Sequence, residues 1–503
     1  MSQSPLQGTP TSKLVAEGVL VLAACLALLS YYQFQHPWMP ETDGYYHIKL
    51  AYLYRTEGIF RDFKWATMSL WRDKFSDTSF LFHVFLVPFT YFEDMQTGAK
   101  VAVVTAGTLT FSSFYLVLRL NGIRQSWLWL ALLLSGGAFF LWRMSVCRPQ
   151  ILSLFVNLWA THFILNRKYR AIAIVGFVYA LSYTAGHLLP VAFSLVFVAA
   201  QYVGGEKLDF KVPVAAVAGA ALGVIINPFF PNQFLYFYLQ NWYVLFMGVV
   251  HPQVMSMGGE FYPMDTKLMV EHHVSIIAPL LGTFLASLLF PKKIGYKALS
   301  LFFMAVIYLF MTAFVRRFAE YAVPFTLLFC AFYFDSRYDE FGAWLRRAST
   351  RLVVLGKVAL GVVLSLILLN SHALSLPWFQ NTRPSDFRAL AVRLKEVAKP
   401  DDIVYTCEWD DTPELFFFDH ERRYLVFLDP NFFFYWNPEL WQRWNWVSKA
   451  GAGTATYDNL KNVFHASYVV CQNEFAGLRR ILDADQRATL LLDNGRAYLY
   501  ELK

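Results

Sequence analysis

The feature that most constrains this chain is a series of apolar runs, each close to the length a helix needs to cross a bilayer, recurring from Leu14 to about residue 371. A hydrocarbon core of about 30 Å needs roughly twenty apolar residues in a helix, and every amide must pair within the segment because no water is at hand. Runs at 14–34, 100–119, 127–142, 151–166, 171–186, 190–203, 212–228, 274–290, 298–315, 321–335 and 352–371 suit that demand, giving about eleven crossings. Several are short for the full thickness, so their ends are expected inside the protein body. Composition agrees: 56% of the 503 residues are apolar and 16% are charged, against about 25% charged in soluble domains. The expected fold class is a polytopic α-helical membrane protein. The first run, Leu14 to Leu29, has no small-residue cleavage site and reads as a retained helix rather than a signal peptide.

The connections sort by charge. Arg119 and Arg124, Arg167 with Lys168 and Arg170, Lys207 and Lys211, Lys292 with Lys293 and Lys297, and Arg337 with Arg346, Arg347 and Arg351 fall in alternate connections. Basic loops stay on the cytoplasmic side, so 35–99, 142–150, 184–190, 229–273 and 316–320 are expected outside. The N-terminus is then cytoplasmic and everything after residue 372 lies outside. Compact size and the lack of a sorting signal favour a bacterial inner membrane, with the tail periplasmic. Two domains are expected: 1–371, carrying the long outer loops 35–99 and 229–273, and a periplasmic α/β domain at 372–503. In that tail "DFRALAVRLKEVAK", "TPELFFF" and "FAGLRRIL" are helical in pattern. "DIVYT", "YLVFL" and "ASYVVC" are strand-like, and "ATLLLDNGRAYLYEL" reads as a hairpin turning at Asn494–Gly495. Phe80 to Phe92, inside the first outer loop, is apolar but too short to span and is expected to be interfacial or re-entrant.

The net charge of +7 is spread over loops, without long basic tracts interleaved with aromatics, so nucleic acid is not an expected partner. The five cysteines show no CxxC spacing, which argues against a zinc or thioredoxin-type site. Cys407 and Cys471 both follow strand-like runs in the outward tail, where a disulfide is permitted, and are expected to pair.

Charged residues at the outer membrane boundary are the informative ones, since each is costly there unless paired or wet. In "HPWMPETDGYYHIKLAYLYR" Glu41 and Asp43 lie two apart. In an extended segment they could share a cation, or one could act as a base tuned by the other. The alternative is an acidic pair at a helix N-terminus. His47 follows Asp43 by four residues, one helical turn. "FSDTSFLFH" adds Asp77 and His83, which also read as a capped interfacial helix with Asp77 as N-cap. "WRMSVCRPQ" places Arg143 and Arg148 in a very short outer loop, and "VRRFAEYAVP" places Arg316, Arg317 and Glu320 in another. These arginines break the positive-inside pattern, and a guanidinium fork suits a lipid-linked phosphate. Pairing with Asp or Glu is the structural alternative. Glu260 and Asp265 could add a metal ligand or simply be solvated, and His187, His272 and His273 have weaker claims. Together these residues suit chemistry on a polyprenyl-phosphate-linked donor. Asp43 would serve as base, with arginines and a divalent ion such as Mg2+ or Mn2+ stabilising the departing phosphate. A metal-independent mechanism is the alternative.

"DGYYHIKLA" after the first membrane helix resembles the first acidic motif of the GT-C superfamily, and is especially similar to that of oligosaccharyltransferase catalytic subunits. "RRFAEYAVP" resembles their arginine-bearing segment before a late membrane helix. The resemblance covers roughly 14–371 in layout and about twenty residues in local motif. It implies a GT-C-like fold, Asp43 as base or metal ligand, Arg317 on the lipid-linked phosphate, and Glu260 as the acidic residue of the late loop. The family's second acidic motif would fall where this chain reads "RMSVCRPQ", without a carboxylate. Its WWDYG motif is absent, with "CEWDDTPE" a weak echo. The implied function is transfer of a sugar or oligosaccharide from a polyprenyl-phosphate-linked donor to a lipid, glycan or protein acceptor on the outer face. A lipid-linked glycan flippase or a non-catalytic GT-C-like scaffold are the alternatives.

Overall fold

The computed structural model describes residues 11–244, 246–247, 258–347, 349–428 and 430–503. Residues 1–10 and the stretch 248–257 of the expected 229–273 loop lie outside the described residues. Two compact units emerge, both discontinuous in sequence: one of residues 1–36, 100–227 and 258–381, the other of 37–99, 228–257 and 382–503.

The first unit is helical. All but one of the apolar runs of the sequence coincide with a helix, from Thr11–Gln33 and Met95–Leu120 through Gln150–Leu165, Tyr169–Ser182, Leu188–Gly204 and Lys211–Ile226 to Thr350–Gln380. Among the described residues, five helices are long and apolar enough to cross a membrane, or six if the bent pair Thr266–His272 and Val274–Leu289 counts as one span. The sequence suggests about eleven; the remainder form helices of 10–17 residues or broken pieces. The run at 127–142 is one such break. It divides into Ser126–Leu134 and Ala138–Arg143 at Gly137, whose φ of +96° only glycine adopts without strain. A Cβ there would meet the His272 carbonyl oxygen at 1.6 Å, and His273 Nδ1 hydrogen-bonds the Gly136 carbonyl at 3.0 Å. The break at 135–137 thus packs against the 83° bend at His272–His273. Helices Tyr169–Ser182 and Lys211–Ile226 also approach closely, a Cβ on Gly219 meeting the Ala173 carbonyl oxygen at 2.0 Å.

The second unit carries a five-stranded sheet: β1 (Ile403–Thr406), β2 (Arg423–Tyr424), β3 (Tyr468–Gln472), β4 (Ala488–Asp493) and β5 (Ala497–Leu502), in the order β2-β1-β3-β5-β4. β1 runs parallel to β2 and β3, while β5 is antiparallel to β3 and β4. The expected hairpin turn is present, with Gly495 at φ +83°. "YLVFL" pairs in the sheet only through its first residue. Tyr424 and Leu425 instead give their carbonyls to Thr67 and Met68 of the first loop, both at 2.8 Å, and Trp65 accepts from the Tyr424 amide. The first loop is thereby stitched onto the sheet edge, and Phe63, Trp65, Trp71 and Phe75 share one buried core with Phe229, Leu390, Phe416 and Phe427. The sequence division at 371/372 assigned this loop to the membrane domain; burial of its aromatics with the tail puts it in the other unit. Helices Asn431–Trp436 and Pro438–Ser448, not anticipated from the sequence, cover the opposite face around Trp441 and Trp444. Cys407 and Cys471 form the expected disulfide, with Cα atoms 5.2 Å apart.

Candidate functional site

In the first unit, three arginines converge on one carboxylate. Arg143 ends the Ala138–Arg143 helix, so it is a buried helical residue rather than a loop residue. Its guanidinium holds Glu320 at 2.5 Å and also donates to Glu260. Arg148 Nη1 donates to Glu260 Oε2 at 3.0 Å, and Arg317 Nη1 lies 3.6 Å from Glu260 Oε1. Arg317 Nη2 further donates to the Tyr183 hydroxyl at 2.8 Å, and its guanidinium lies over the Phe261 ring. Burial alone would push the Glu260 carboxyl up, but the guanidiniums of Arg143, Arg148 and Arg317 outweigh it and hold the group well below the usual carboxylate range. Glu260 is therefore ionised at every physiological pH. Arg143, Arg148 and Arg317 thus surround Glu260, Arg143 fully buried and the other three half-buried, with Glu320 on the far side of Arg143. Guanidinium forks of this kind are also suited to a phosphate. The Arg316 guanidinium lies over the Phe139 ring and close to Gly259, the neighbour of Glu260 in sequence.

In the second unit the helix Asp43–Thr56 begins at Asp43. Glu41 caps it, Oε2 accepting from the Asp43 amide at 2.9 Å and Oε1 from the Gly44 amide at 2.8 Å. Glu41 thus serves the helix terminus, not an extended pair with Asp43. His47 is one turn on and buried, and its Nδ1 lies 2.7 Å from His83 Nε2. His83 Nδ1 lies 2.7 Å from Asp77 Oδ2, which also accepts from the Tyr54 hydroxyl at 2.9 Å. Asp77 is not the expected N-cap: the helix Phe80–Leu86 starts after Ser79, and Asp77 Oδ1 accepts from the Ser79 amide.

A third group gathers at the C-terminal ends of the parallel strands. The loop after β1 carries Glu408, Asp410 and Asp411, with Glu414 in the next helix and Gln472 at the end of β3 donating to Asp411 at 2.6 Å. Burial pushes the Glu408 and Glu414 carboxyls up to about 7.

Arg143, Arg148, Arg317 and Glu260 are therefore brought together, as are His47, Asp77 and His83. Asp43 and Glu260, the expected metal ligands, belong to different units. The oxygens of Glu260 face guanidiniums, a setting that repels a cation, and among the described residues no group of three His, Cys, Asp or Glu side chains is arranged to hold a metal ion. Asp265 caps the helix Thr266–His272 by accepting from the Lys267 and Leu268 amides. His272 packs on Trp378. His187 precedes the helix Leu188–Gly204, and burial lowers its imidazole to about 4. Sequence reasoning passed over Tyr183 and Tyr54, since a hydroxyl partner far along the chain leaves no local signal.

No family model matches the chain, and no curated protein matches it. Solved structures do match. The Archaeoglobus fulgidus oligosaccharyltransferase in its apo form superposes with a TM-score of 0.65 at 13% identity, covering 97% of this chain and 74% of that one. The archaeal oligosaccharyltransferase AglB from Archaeoglobus fulgidus, in complex with an inhibitory peptide and a dolichol-phosphate, gives 0.65 at 13% identity, covering 96% and 74%. ArnT from Cupriavidus metallidurans bound to undecaprenyl phosphate gives 0.58 at 12% identity, covering 98% of each chain. The chain has the fold of the GT-C membrane glycosyltransferases.

Proposed function

We propose that this protein is a membrane glycosyltransferase that moves a sugar or oligosaccharide from a polyprenyl-phosphate-linked donor to a lipid, glycan or protein acceptor on the outer face of the membrane. The observation that carries the reading is the convergence of Arg143, Arg148 and Arg317 at Glu260, on a GT-C fold. The fold neighbours solved with dolichol-phosphate and undecaprenyl phosphate bound support a lipid phosphate as the anion. In the reaction, an acceptor oxygen or nitrogen forms a bond to the anomeric carbon and the bond from that carbon to the phosphate oxygen breaks. The acceptor's proton passes to a base on the helix that begins at Asp43, where Asp43 and His47 are the candidates. The phosphate leaves on its polyprenyl chain, its charge met by the arginines. The Glu260 oxygens already face guanidiniums, so no step is routed through a metal. The Cys407–Cys471 disulfide supports an outward, oxidising location for the tail.

The test is transfer of radiolabelled sugar from a polyprenyl-phosphate donor by the purified full chain. Arg317→Gln is expected to lower kcat/KM by about 100-fold, the order expected for one charge-stabilising group. Asp43→Ala at wild-type rate would remove Asp43 from the chemistry. Translocation of the lipid carrier in vesicles with no new glycosidic bond would convert the reading to a flippase.

A further inference from the structure

We infer that the helix Tyr338–Arg347 lies in the interface of one membrane leaflet and that Arg346, Arg347 and Arg351 beside it hold the phosphate headgroups of anionic phospholipids. The site is apart from the arginine cluster at Glu260: Arg316 and Arg317 precede the helix Ala319–Asp335, and Tyr338 follows its other end.

The position follows from length. Ten residues of helix reach about 15 Å, half of a hydrocarbon core of about 30 Å. This helix joins two that are each long and apolar enough to cross a membrane, one ending at Asp335 and the other beginning at Thr350. It therefore stays where both of them surface. Phe341, Trp344 and Leu345 recur at the three- and four-residue spacing of one helical face, with Arg346 and Arg347 off that face. Phe341 stacks on Trp344 with ring centroids 5.7 Å apart, and both rings meet Phe290, which follows the helix Val274–Leu289. Phe341 and Trp344 are still 46% and 50% exposed, as are Leu288 and Leu289 just before Phe290 to a greater degree. Aromatic rings at the level where an apolar helix ends sit at the boundary between acyl chains and headgroups.

Charge is sorted around this helix. Its acidic residues are neutralised by the protein itself: Asp339 accepts from Arg124 Nη1 at 2.9 Å, and Glu340 lies 3.0 Å from Lys292 Nζ. Arg124 also holds Asp335 at 3.1 Å, and Arg337 donates to the Lys292 carbonyl at 2.7 Å, so the start of the helix is fastened. Arg346, Arg347 and Arg351 are exposed, and among the described residues none of them pairs with a carboxylate. Three arginines without counter-charge at a bilayer surface attract phosphate. A free phosphate would use only the arginines. An anionic phospholipid uses the arginines with its headgroup and the rings of Phe341 and Trp344 with its acyl chains.

The experiment is native mass spectrometry of the purified full chain released from micelles carrying equal amounts of phosphatidylglycerol and phosphatidylcholine. The wild type is expected to retain phosphatidylglycerol in preference by at least about tenfold, and the triple variant Arg346→Gln, Arg347→Gln, Arg351→Gln to lose that preference. No preference in the wild type overturns the inference. Arg170→Gln with Lys207→Gln and Lys211→Gln removes the same charge from other connections and should keep the preference; equal loss in both variants would assign it to net charge and overturn the site. Phosphatidylglycerol is expected to raise the thermal midpoint of the wild type more than that of the triple variant, while inorganic phosphate shifts the two equally. A phosphate response that the triple variant loses would make the ligand a free anion and overturn the lipid assignment. A wild-type dimer without lipid preference, dissociated by Trp344→Ala, would give the face to a second copy and do the same. If the triple variant does not fold, Arg346→Gln and Arg351→Gln decide singly. Each is expected to lower the preference by about fivefold, and unchanged retention in both overturns the inference.

Discussion

Glu260 shows how far a residue's surroundings can depart from its neighbours in sequence. In "MGGEFYPMD" it is a loop carboxylate among small and aromatic residues, equally suited to solvent or to a metal. In the fold it is the shared partner of Arg143, Arg148 and Arg317. Removing one member of a buried ion cluster leaves the others desolvated and unpaired, typically costing about 3–5 kcal/mol. Glu260→Gln is therefore expected to lower the thermal unfolding midpoint in anion-free buffer. Farnesyl phosphate should restore it by more than it stabilises the wild type, since binding to the folded state alone adds stability. An equal response in both proteins, followed by tryptophan fluorescence on heating, would show that Glu260 does not compete with phosphate. Asp43 and the arginines were legible as candidates because charge at a membrane boundary is rare. The N-cap alternative for Asp77 arose from the cap composition of "SDTS", and only its distance to His83 reveals its partner.

At the scale of elements, helix positions were legible and helix integrity was not. The run at 127–142 is apolar throughout, and the break at Gly137 follows from contact with His272, 135 positions away. Gly137→Ala adds a side chain where φ is +96° and the His272 carbonyl already occupies the space. It is expected to destabilise the protein by more than about 2 kcal/mol, read as a lower thermal midpoint; an unchanged midpoint would mean that the break relaxes. In the other unit the disulfide closes a span of 64 residues. Cys407→Ser together with Cys471→Ser is expected to cost about 4 kcal/mol by the loop-closure relation. The loss should be matched when the wild type is reduced, and a reductant-insensitive wild type would overturn it. "DIVYT" and the hairpin were readable from alternation and turn residues. "YLVFL" has equal strand character, yet its amide partners come from residues 65–68, which no local pattern announces.

At the scale of the whole molecule, buried carboxylates set a pH dependence. Glu408 and Glu414, pushed up to about 7 by burial, bind protons in the folded state that the unfolded chain releases above its ordinary value of 4.5. Their stabilising contribution is full below about 4.5 and is lost as pH rises through about 7. His187 and His420, each lowered to about 4 by burial, act oppositely as pH falls below 6.5, so the carboxyls' part is read by removing them. Relative to Glu408→Gln plus Glu414→Gln, the wild type's thermal midpoint is therefore expected to fall between pH 5 and 7.5; a difference that is constant or rises over that window would contradict the burial of these carboxyls. The sequence by itself determined the class of the molecule and the placement of its helices, because hydrocarbon leaves a backbone no alternative to internal pairing, so long apolar runs have one outcome. Tertiary structure decided which segments share a core and which charges share a partner. The first loop joined the tail's sheet, and Glu260 joined three arginines from two other connections. Burial and Coulomb energies depend on distance in space, and sequence separation carries no record of it.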